Sequence, residues 1–327
     1  MVLVTGATGH LGNNLVRQLL SKGEGVRVLL RKNSNQSALE GLQVEKVYGD
    51  VLDYHSLLAV CKGIDCVYHC AALISLLPGE YKKLYATNVR GTENVIAACL
   101  EMRVNKLIQV SSVEAYGNAN PGGVIDESYS FNPKRAMLAY GRTKAVGSLK
   151  VLEAVKSRGL HAVLICPVGI VGPYDFRPSS MGQMVIDFAH KSMPCYLGGG
   201  FDFVDVRDVA EATIVAAKKA PAGEAYLLTS EHLAILQLMD ILQEITGIRR
   251  PYLKLPHAVA YLAALAAEKY YQFSKTTPVF TRDSINILQS HLRVNGEKAK
   301  RELSFAPREV RFALKDQYDF FKRAGKI

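Results

Sequence analysis

The sequence contains no tryptophan, no CxxC pair and no unbroken apolar run long enough to span a membrane. Its six cysteines lie mostly inside apolar stretches, which argues against a disulfide framework or a structural zinc site. Cys66, His69 and Cys70 are spaced like metal ligands, but no second ligand cluster follows, so we interpret them as parts of a buried strand. An apolar strand begins at Val2 and leaves no room for a signal peptide. We therefore expect a cytoplasmic protein without an integral membrane segment.

A long run of charge of one sign is also missing, although Lys and Arg outnumber Asp and Glu and give a net charge of +10. The basic residues are scattered in short groups, without a helix-turn-helix or zinc-finger pattern. We therefore expect no nucleic-acid partner and attribute the excess to a solvated surface and a phosphate-bearing cofactor. With 327 residues, 49% of them hydrophobic, the chain can form one large α/β domain or two modest lobes.

Short apolar, β-branched runs alternate with stretches that have helical spacing of apolar residues. The runs lie at 1–5, 26–30, 44–48, 66–70, 106–111 and 162–166, and the helical stretches at 11–20, 92–102 and 140–156. This alternation is typical of parallel strands joined by helices. It predicts the α/β fold class: a doubly wound parallel sheet of the Rossmann type, with a smaller, mainly helical C-terminal substrate-binding lobe.

After Pro167 the pattern loosens into Gly, Pro and aromatic residues, and it returns to strand and helix near residue 202. We therefore predict a dinucleotide-binding domain of residues 1–168 plus about 202–230, and a substrate-binding lobe of about 169–201 plus 231–327. Within the lobe, the Ala- and Tyr-rich segment 258–273 has three interpretations: a packed lid, a dimer interface or a contact with a membrane surface. Packing is the commoner outcome for so short an apolar stretch.

The first predicted strand runs directly into the sequence TGATGHLG, which an apolar helix follows. In such a strand-to-helix turn, Gly6 permits the tight bend, Gly9 lets the backbone approach a pyrophosphate, and Gly12 allows close packing of the helix. The free N–H groups and the dipole of the helix face the negative charge. The predicted cofactor-binding residues here are Gly6, Thr8, Gly9, His10, Leu11 and Gly12.

The second predicted strand ends in Arg31 and Lys32, where NAD-preferring enzymes usually carry an acidic residue that binds the ribose hydroxyl. Two cations at this point favour the 2′-phosphate of NADP, although NAD is not excluded. After the third strand, Asp50 and Val51 are placed to contact the adenine. Asp53, close by, is equally well explained as the cap of the next helix.

Tyr140 and Lys144 are four residues apart on a predicted helix, so their side chains project from the same face. A phenol that exchanges protons near neutral pH needs a lowered pKa, and a neighbouring ammonium acts in that direction. Ser111 and Ser112 follow the fifth predicted strand, at the sheet edge where ligands of open α/β sheets bind. Ser112 could donate to a substrate oxygen; alternatively, both hydroxyls only satisfy local backbone groups.

In this order, the motifs resemble those of the extended short-chain dehydrogenase/reductase family. The resemblance rests on Thr5 to Gly12, 69–72, 88–92, Ser111 to Gly117 and Tyr140 to Lys144, and stretches at 167–173 and 204–210 continue it. Within the family the chain is most similar to the dihydroflavonol-4-reductase-like part of the NAD-dependent epimerase/dehydratase group. Its bacterial relatives include sugar epimerases associated with hopanoid synthesis.

The resemblance implies a role for each matching position. Tyr140 is then the general acid in reduction and the base in oxidation, Lys144 binds the nicotinamide ribose and lowers the pKa of the tyrosine, and Ser112 orients the reacting oxygen. Asn88 is either structural or part of a proton relay. The further cofactor contacts that the resemblance implies are Cys70, Ala71, Ala72, Asn88, Ser111, Tyr140, Pro167, Val168 and Ile170. One departure is Cys166, since the family often has Arg before this proline.

The substrate is predicted less closely than the cofactor. Ser112, Val113, Phe176, Arg177 and Met181 follow the cofactor motifs and favour a small apolar or aromatic molecule. The main hypothesis is an NADP-dependent oxidoreductase acting on a carbonyl or hydroxyl group. Two alternatives are a nucleotide-sugar epimerase or dehydratase that retains NAD(P), and an NADP-binding redox sensor without turnover. A homodimer is what the family resemblance implies.

Overall fold

The computed structural model describes residues 1–77, 79–117, 123–274, 281–289 and 293–327. Its strands are β1 (Val2–Thr5), β2 (Val26–Leu30), β3 (Glu45–Tyr48), β4 (Cys66–His69), β5 (Lys106–Val110), β6 (Val124–Ile125), β7 (Ala162–Pro167), β8 (Gly169–Val171), β9 (Cys195–Leu197), β10 (Gly200–Asp205), β11 (Ala225–Leu228), β12 (Glu231–Ala234), β13 (Leu253–Leu255) and β14 (Arg293–Val294). All six strands predicted from the apolar runs are present.

The helices are α1 (His10–Ser21), α2 (Tyr54–Cys61), α3 (Tyr81–Tyr85), α4 (Gly91–Glu101), α5 (Ala139–Arg158), α6 (Ser180–Ala189), α7 (Val206–Lys219), α8 (Ile235–Thr246), α9 (His257–Ser274), α10 (Arg282–Gln289), α11 (Glu297–Leu303) and α12 (Val310–Arg323). A π-helical turn, Ala86–Arg90, joins α3 to α4. No described helix combines the length and the apolarity needed to cross a bilayer.

Seven parallel strands form the main sheet, in the order β3, β2, β1, β4, β5, β7, β11. Thr5, at the end of β1, pairs with Leu29 on one side and His69 on the other. The chain runs outward from β1 in opposite directions, so right-handed crossovers put the helices on both faces. The predicted Rossmann fold is confirmed, and its strand order reverses between β1 and β4, where such sheets bind their ligands.

A smaller sheet lies outside the main one. β10 pairs with β8 in parallel and with β12 antiparallel, and a second apolar cluster that includes Phe203, Leu238 and Phe321 packs around it. Within the segment of about 202–230 that the sequence assigns to the cofactor domain, β11 lies in the main sheet, whereas β10 belongs to this smaller sheet. Conversely, α11 packs on β11 and α7 with Ala299 and Leu303 buried in the main core. The C-terminal lobe therefore contains strands as well as helices.

Candidate active site

The glycine-rich turn after β1 has the geometry that its sequence predicts. Gly6 adopts a φ of +71°, a conformation that a side chain would strain. A Cβ on Gly12 would lie 2.2 Å from the carbonyl oxygen of Gly6. Only glycine at position 12 therefore lets α1 begin directly against the turn, which brings the start of the helix to the edge of the sheet.

The start of α1 is open to an anion. Gly9 precedes the helix in an extended conformation, and no side chain caps it, so the first N–H groups remain available to a pyrophosphate. The ring of His10 is already engaged, since its Nε2 lies 3.0 Å from the carbonyl oxygen of Gly172 and 3.1 Å from that of Pro173. The predicted cofactor contact of His10 would therefore be made by its backbone N–H rather than by its ring. Thr8 is half-buried and Leu11 buried.

Two cations lie at the end of β2. Arg31 and Lys32 are exposed, and within the described ranges neither side chain forms an ion pair or hydrogen bond; the Arg31 carbonyl oxygen accepts from the Ser34 hydroxyl at 2.8 Å. Beyond β3, the Asp50 carboxylate accepts from the N–H of Leu52 at 2.9 Å, and Val51 is buried. Asp53 accepts from two N–H groups at the start of α2, which confirms its capping role. The arrangement fits a nicotinamide dinucleotide along the edge from β1 to β3.

Ser112 and Tyr140 are brought together by a close contact between two turns. Ser112 begins a 3₁₀ turn, Val113–Tyr116, and its Oγ accepts from the N–H of Glu114 at 3.3 Å. Tyr140 lies in the first turn of α5. A Cβ on Gly141 would lie 2.7 Å from the carbonyl oxygen of Glu114, so glycine here lets the two turns touch. The Ser112 hydroxyl thereby faces the Tyr140 phenol closely enough to lower the pKa of the phenol.

Burial controls the proton affinities at this site. It raises the pKa of Tyr140, while the facing Ser112 hydroxyl acts against the increase. In the structure the pKa of Tyr140 is raised rather than lowered, so the decrease expected from the neighbouring Lys144 is not seen. Burial also lowers the pKa of Lys144 to about 8, and its Nζ donates to the carbonyl oxygen of Val110 at 2.5 Å. The ammonium is thereby fixed between the end of β5 and α5, one helical turn from the phenol.

Glu114 is a site residue that the sequence did not single out. Its carboxyl has no hydrogen-bond partner among the described residues, and burial raises its pKa to about 7. Its charge also contributes to the raised pKa of Tyr140. The sequence carries no signal for this, because the position is polar within an otherwise ordinary motif and its burial depends on the packing of α5.

The other nicotinamide-side residues are positioned by β5, β7 and β8. The Ser111 hydroxyl lies 2.6 Å from that of Ser148 on α5, which leaves its backbone for a cofactor contact. Pro167 is the last residue of β7, and Val168, which follows it, is buried. Ile170 lies on β8 and is half-buried. The residue before Pro167 is Cys166, which is fully buried. This chain therefore has a neutral thiol at the position where the family often has Arg.

A chain of hydrogen bonds behind the cofactor edge links β1, β4 and the π-helical turn. The Ala71 N–H donates to the Thr5 hydroxyl at 3.2 Å, and this oxygen lies 2.7 Å from Nδ1 of His69. On the other side, Nε2 lies 3.4 Å from the Thr92 hydroxyl, which donates to the Asn88 carbonyl oxygen at 2.9 Å. Burial lowers the pKa of His69 to about 3, so the ring is neutral and serves as a structural bridge.

Asn88 lies in the π-helical turn, and its side chain is fully engaged. Its amide donates to the carbonyl oxygen of Leu73 at 2.9 Å and to the hydroxyl of Thr143 at 3.0 Å, and it accepts from the N–H of Leu73 at 2.8 Å. π-helical turns are frequent at functional sites. These contacts favour the structural alternative for Asn88, since they tie the loop after β4, which contains Cys70, Ala71 and Ala72, to the helix of Tyr140.

We expect Asn88→Ala to lower the free energy of unfolding by about 2 kcal/mol or more, because three hydrogen bonds are lost and buried partners stay unpaired. Urea unfolding checks this. The matched control is Asn94→Ala, which removes a single bond to the carbonyl oxygen of Val51 and should cost about 1 kcal/mol. Equal losses in the two variants would contradict the bridging role of Asn88.

The predicted substrate residues are less clearly grouped. Val113 is buried next to Ser112. The ring of Phe176 packs against Tyr174 and Phe320, with the Arg17 guanidinium 5.9 Å from its centre, so its contacts are with the second core rather than with Tyr140. Met181, on α6, is half-buried against the same core, and Arg177 is exposed. Their roles towards a substrate stay predictions.

Comparisons with known proteins agree with this geometry. The model of the NAD dependent epimerase/dehydratase family matches residues 2–228. The chain belongs to this family. Over 99% of its length it is 40% identical to sterol demethylase protein B of Methylococcus capsulatus, of which it covers 99%. It is 30% identical to a Synechocystis protein provisionally named dihydroflavonol 4-reductase, covering 99% of this chain and 95% of that protein.

A solved structure is similar over the full length. The crystal structure of gox2253 has a TM-score of 0.88 and 32% identity, covering 100% of this chain and 99% of that one. Members of the family bind NAD or NADP and act on small molecules. The chain is accordingly an NAD(P)-dependent oxidoreductase. The described residues contain no group of His, Cys, Asp and Glu side chains that could hold a metal ion.

Proposed function

We propose that the chain is an NADP-dependent oxidoreductase that interconverts a hydroxyl and a carbonyl group on an apolar, sterol-like substrate. The observation that carries this proposal is the convergence of Ser112, Tyr140 and Lys144, with the Lys144 charge acting on Cys70, which lies against Gly6 of the glycine-rich turn. A hydroxyl, a phenol and a fixed ammonium in this order can orient an oxygen, exchange its proton and hold the neighbouring ribose.

Each residue then has a separate task. Ser112 donates its hydroxyl proton to the substrate oxygen and so orients it beside Tyr140. Tyr140 gives its proton to the oxygen in reduction and takes it in oxidation. Lys144, held by the Val110 carbonyl, supplies positive charge on the cofactor side. The nicotinamide, when bound, donates or accepts the hydride at the carbon.

NADP is proposed over NAD because of the unpaired cations at the end of β2. A 2′-phosphate carries about two negative charges that charge-assisted hydrogen bonds from a guanidinium stabilise. The sheet edge would accept either nucleotide, so the proposed preference for NADP over NAD depends on the charges of Arg31 and Lys32.

Arg31→Asp is expected to weaken NADPH binding by at least about tenfold and to leave NADH binding similar or improved, because it exchanges an attractive charge for a repulsive one. The two dissociation constants, measured by nicotinamide fluorescence, check this. Arg90→Asp, a change at another arginine whose position lies in the π-helical turn, controls for net charge. An unaltered ratio of the two constants in Arg31→Asp would remove this residue from the 2′-phosphate site.

The sterol-like substrate rests on the relative that is 40% identical over nearly the whole chain, whose name refers to a sterol. The predicted apolar residues after the cofactor motifs agree with it. The test incubates the protein with NADP and polycyclic alcohols, or with NADPH and the corresponding ketones, and follows nicotinamide absorbance. Turnover with these compounds and none with simple aromatic ketones supports the proposal.

The epimerase alternative is favoured by the family's own name. An epimerase returns its hydride to the substrate, so it consumes no cofactor and retains NAD(P) through purification. Conversion of a nucleotide sugar without net change in nicotinamide absorbance would therefore replace the proposed reaction. The named relatives do not favour the redox-sensor alternative, since their names refer to enzymes.

A further inference from the structure

Helix α9 exposes an apolar face. From Ala258 to Ala267 its sequence, AVAYLAALAA, contains no charged residue. Ala260 and Ala264 are buried against the second core, whereas Val259 is 51% exposed and Leu262 67% exposed. A helix at the surface of a protein usually turns charged side chains to water. This outer face is therefore suited to an apolar neighbour that covers it.

The exposed apolar character extends to the residues before the helix. Tyr252 is 74% exposed and Leu253 62% exposed. The structure describes thirteen exposed large apolar side chains in all, and five of them lie within the eleven residues from 252 to 262. Single exposed apolar side chains need no explanation, but such a concentration marks an interaction site. We call residues 252–262 the apolar segment.

Positive charge borders the apolar segment without negative charge. Residues 248–267 contain Arg249, Arg250 and Lys254 and no Asp or Glu. Arg250 pairs with Asp240, whereas Arg249 and Lys254 form no ion pair with any described residue. Arg249 also lines a cavity of about 360 Å³ with Lys191 and several apolar side chains, among them Phe188 and Ile248. Apolar surface and free cations thus lie side by side.

We propose that the apolar segment docks the protein onto the surface of a bilayer that contains anionic lipid. Apolar side chains enter the boundary between headgroups and acyl chains, and neighbouring Lys and Arg side chains meet the lipid phosphates. A second copy of the chain is a poorer occupant. In a two-fold interface both copies contribute the same surface, so the Arg249 and Lys254 charges of the two copies would be brought together with no Asp or Glu from residues 248–267 to offset them.

The full chain is tested by co-sedimentation with vesicles. Phosphatidylcholine mixed with phosphatidylglycerol is compared with phosphatidylcholine alone, at low and high salt. The protein is expected to bind the anionic vesicles, and to bind them less at high salt. Leu262→Asp and, in a second variant, Val259→Asp are expected to weaken binding at least about tenfold. Arg249→Ala combined with Lys254→Ala should do the same through charge.

Phe312→Asp is the matched control, because Phe312 is 53% exposed and lies on α12, away from the proposed cofactor contacts. It should bind vesicles like the wild type. Circular dichroism of every variant establishes that each is folded, and it requires neither cofactor nor turnover, so the result is independent of the proposed function. Absence of binding to anionic vesicles, or equal binding by Leu262→Asp, overturns the proposal. So does a wild-type dimer that Leu262→Asp converts into a monomer, since the segment would then be a protein interface.

Discussion

Tyr140→Phe is expected to lower turnover by at least about a hundredfold, the low end for general acid–base catalysis, while the cofactor dissociation constant stays nearly unchanged. The substitution removes one hydroxyl and keeps the ring that packs in the first turn of α5. Lys144 and the glycine-rich turn, which are the proposed cofactor contacts, are left in place. Steady-state kinetics and nicotinamide fluorescence on the same preparations measure the two quantities.

A matched control for this experiment is Tyr116→Phe. Tyr116 is a buried tyrosine that ends the neighbouring 3₁₀ turn, and its hydroxyl faces the Cys166 thiol rather than Ser112. Removing it should alter turnover by less than about threefold, since no proton transfer is assigned to it. Unchanged turnover in Tyr140→Phe would remove the acid–base assignment, and equal losses in both variants would indicate a packing effect.

Local chemistry made much of the fold and site predictable from the sequence. The alternation of apolar runs and helical stretches defines the parallel sheet, because each βα unit must bury its own apolar face. Gly6 and Gly12 could be located because the bend and the helix contact are made within seven residues of one another. Tyr140 and Lys144 could be paired because helical geometry alone places them on one face.

The features of the fold and the site that could not be predicted depend on long-range packing, which no local sequence pattern encodes. The hydrogen bond between Thr5 and His69 joins residues 64 positions apart, and the partner of Asn88 on α5 is 55 positions away. The pairing of β10 in a smaller sheet could not be predicted for the same reason, since its partners β8 and β12 are known only once the chain is folded. The raised pKa of Tyr140 likewise follows from burial, which a sequence motif does not contain.

Lys144→Met is expected to abolish measurable turnover and to change how stability depends on pH. The side chain is 4% exposed, and burial lowers its pKa from 10.5 to about 8. In the unfolded chain the ammonium therefore persists to higher pH than in the folded protein. The cost of burying the charge is fully present below pH 8 and disappears as the pH rises towards 10.5, and this pKa difference corresponds to on the order of 3 kcal/mol.

Relative to Lys144→Met, the wild type should thus gain up to about 3 kcal/mol in its free energy of unfolding between pH 7 and 10.5. Urea unfolding of both proteins without cofactor, at several pH values, gives this difference and cancels the titration of other groups. Lys156→Met, at an exposed position on the same helix, is the control, because an exposed ammonium loses little hydration on folding. A difference between wild type and Lys144→Met that stays constant with pH would show that the Lys144 charge is not desolvated. In that case the ammonium would lie in a hydrated environment, where its influence on Tyr140 and on a cofactor ribose would be screened.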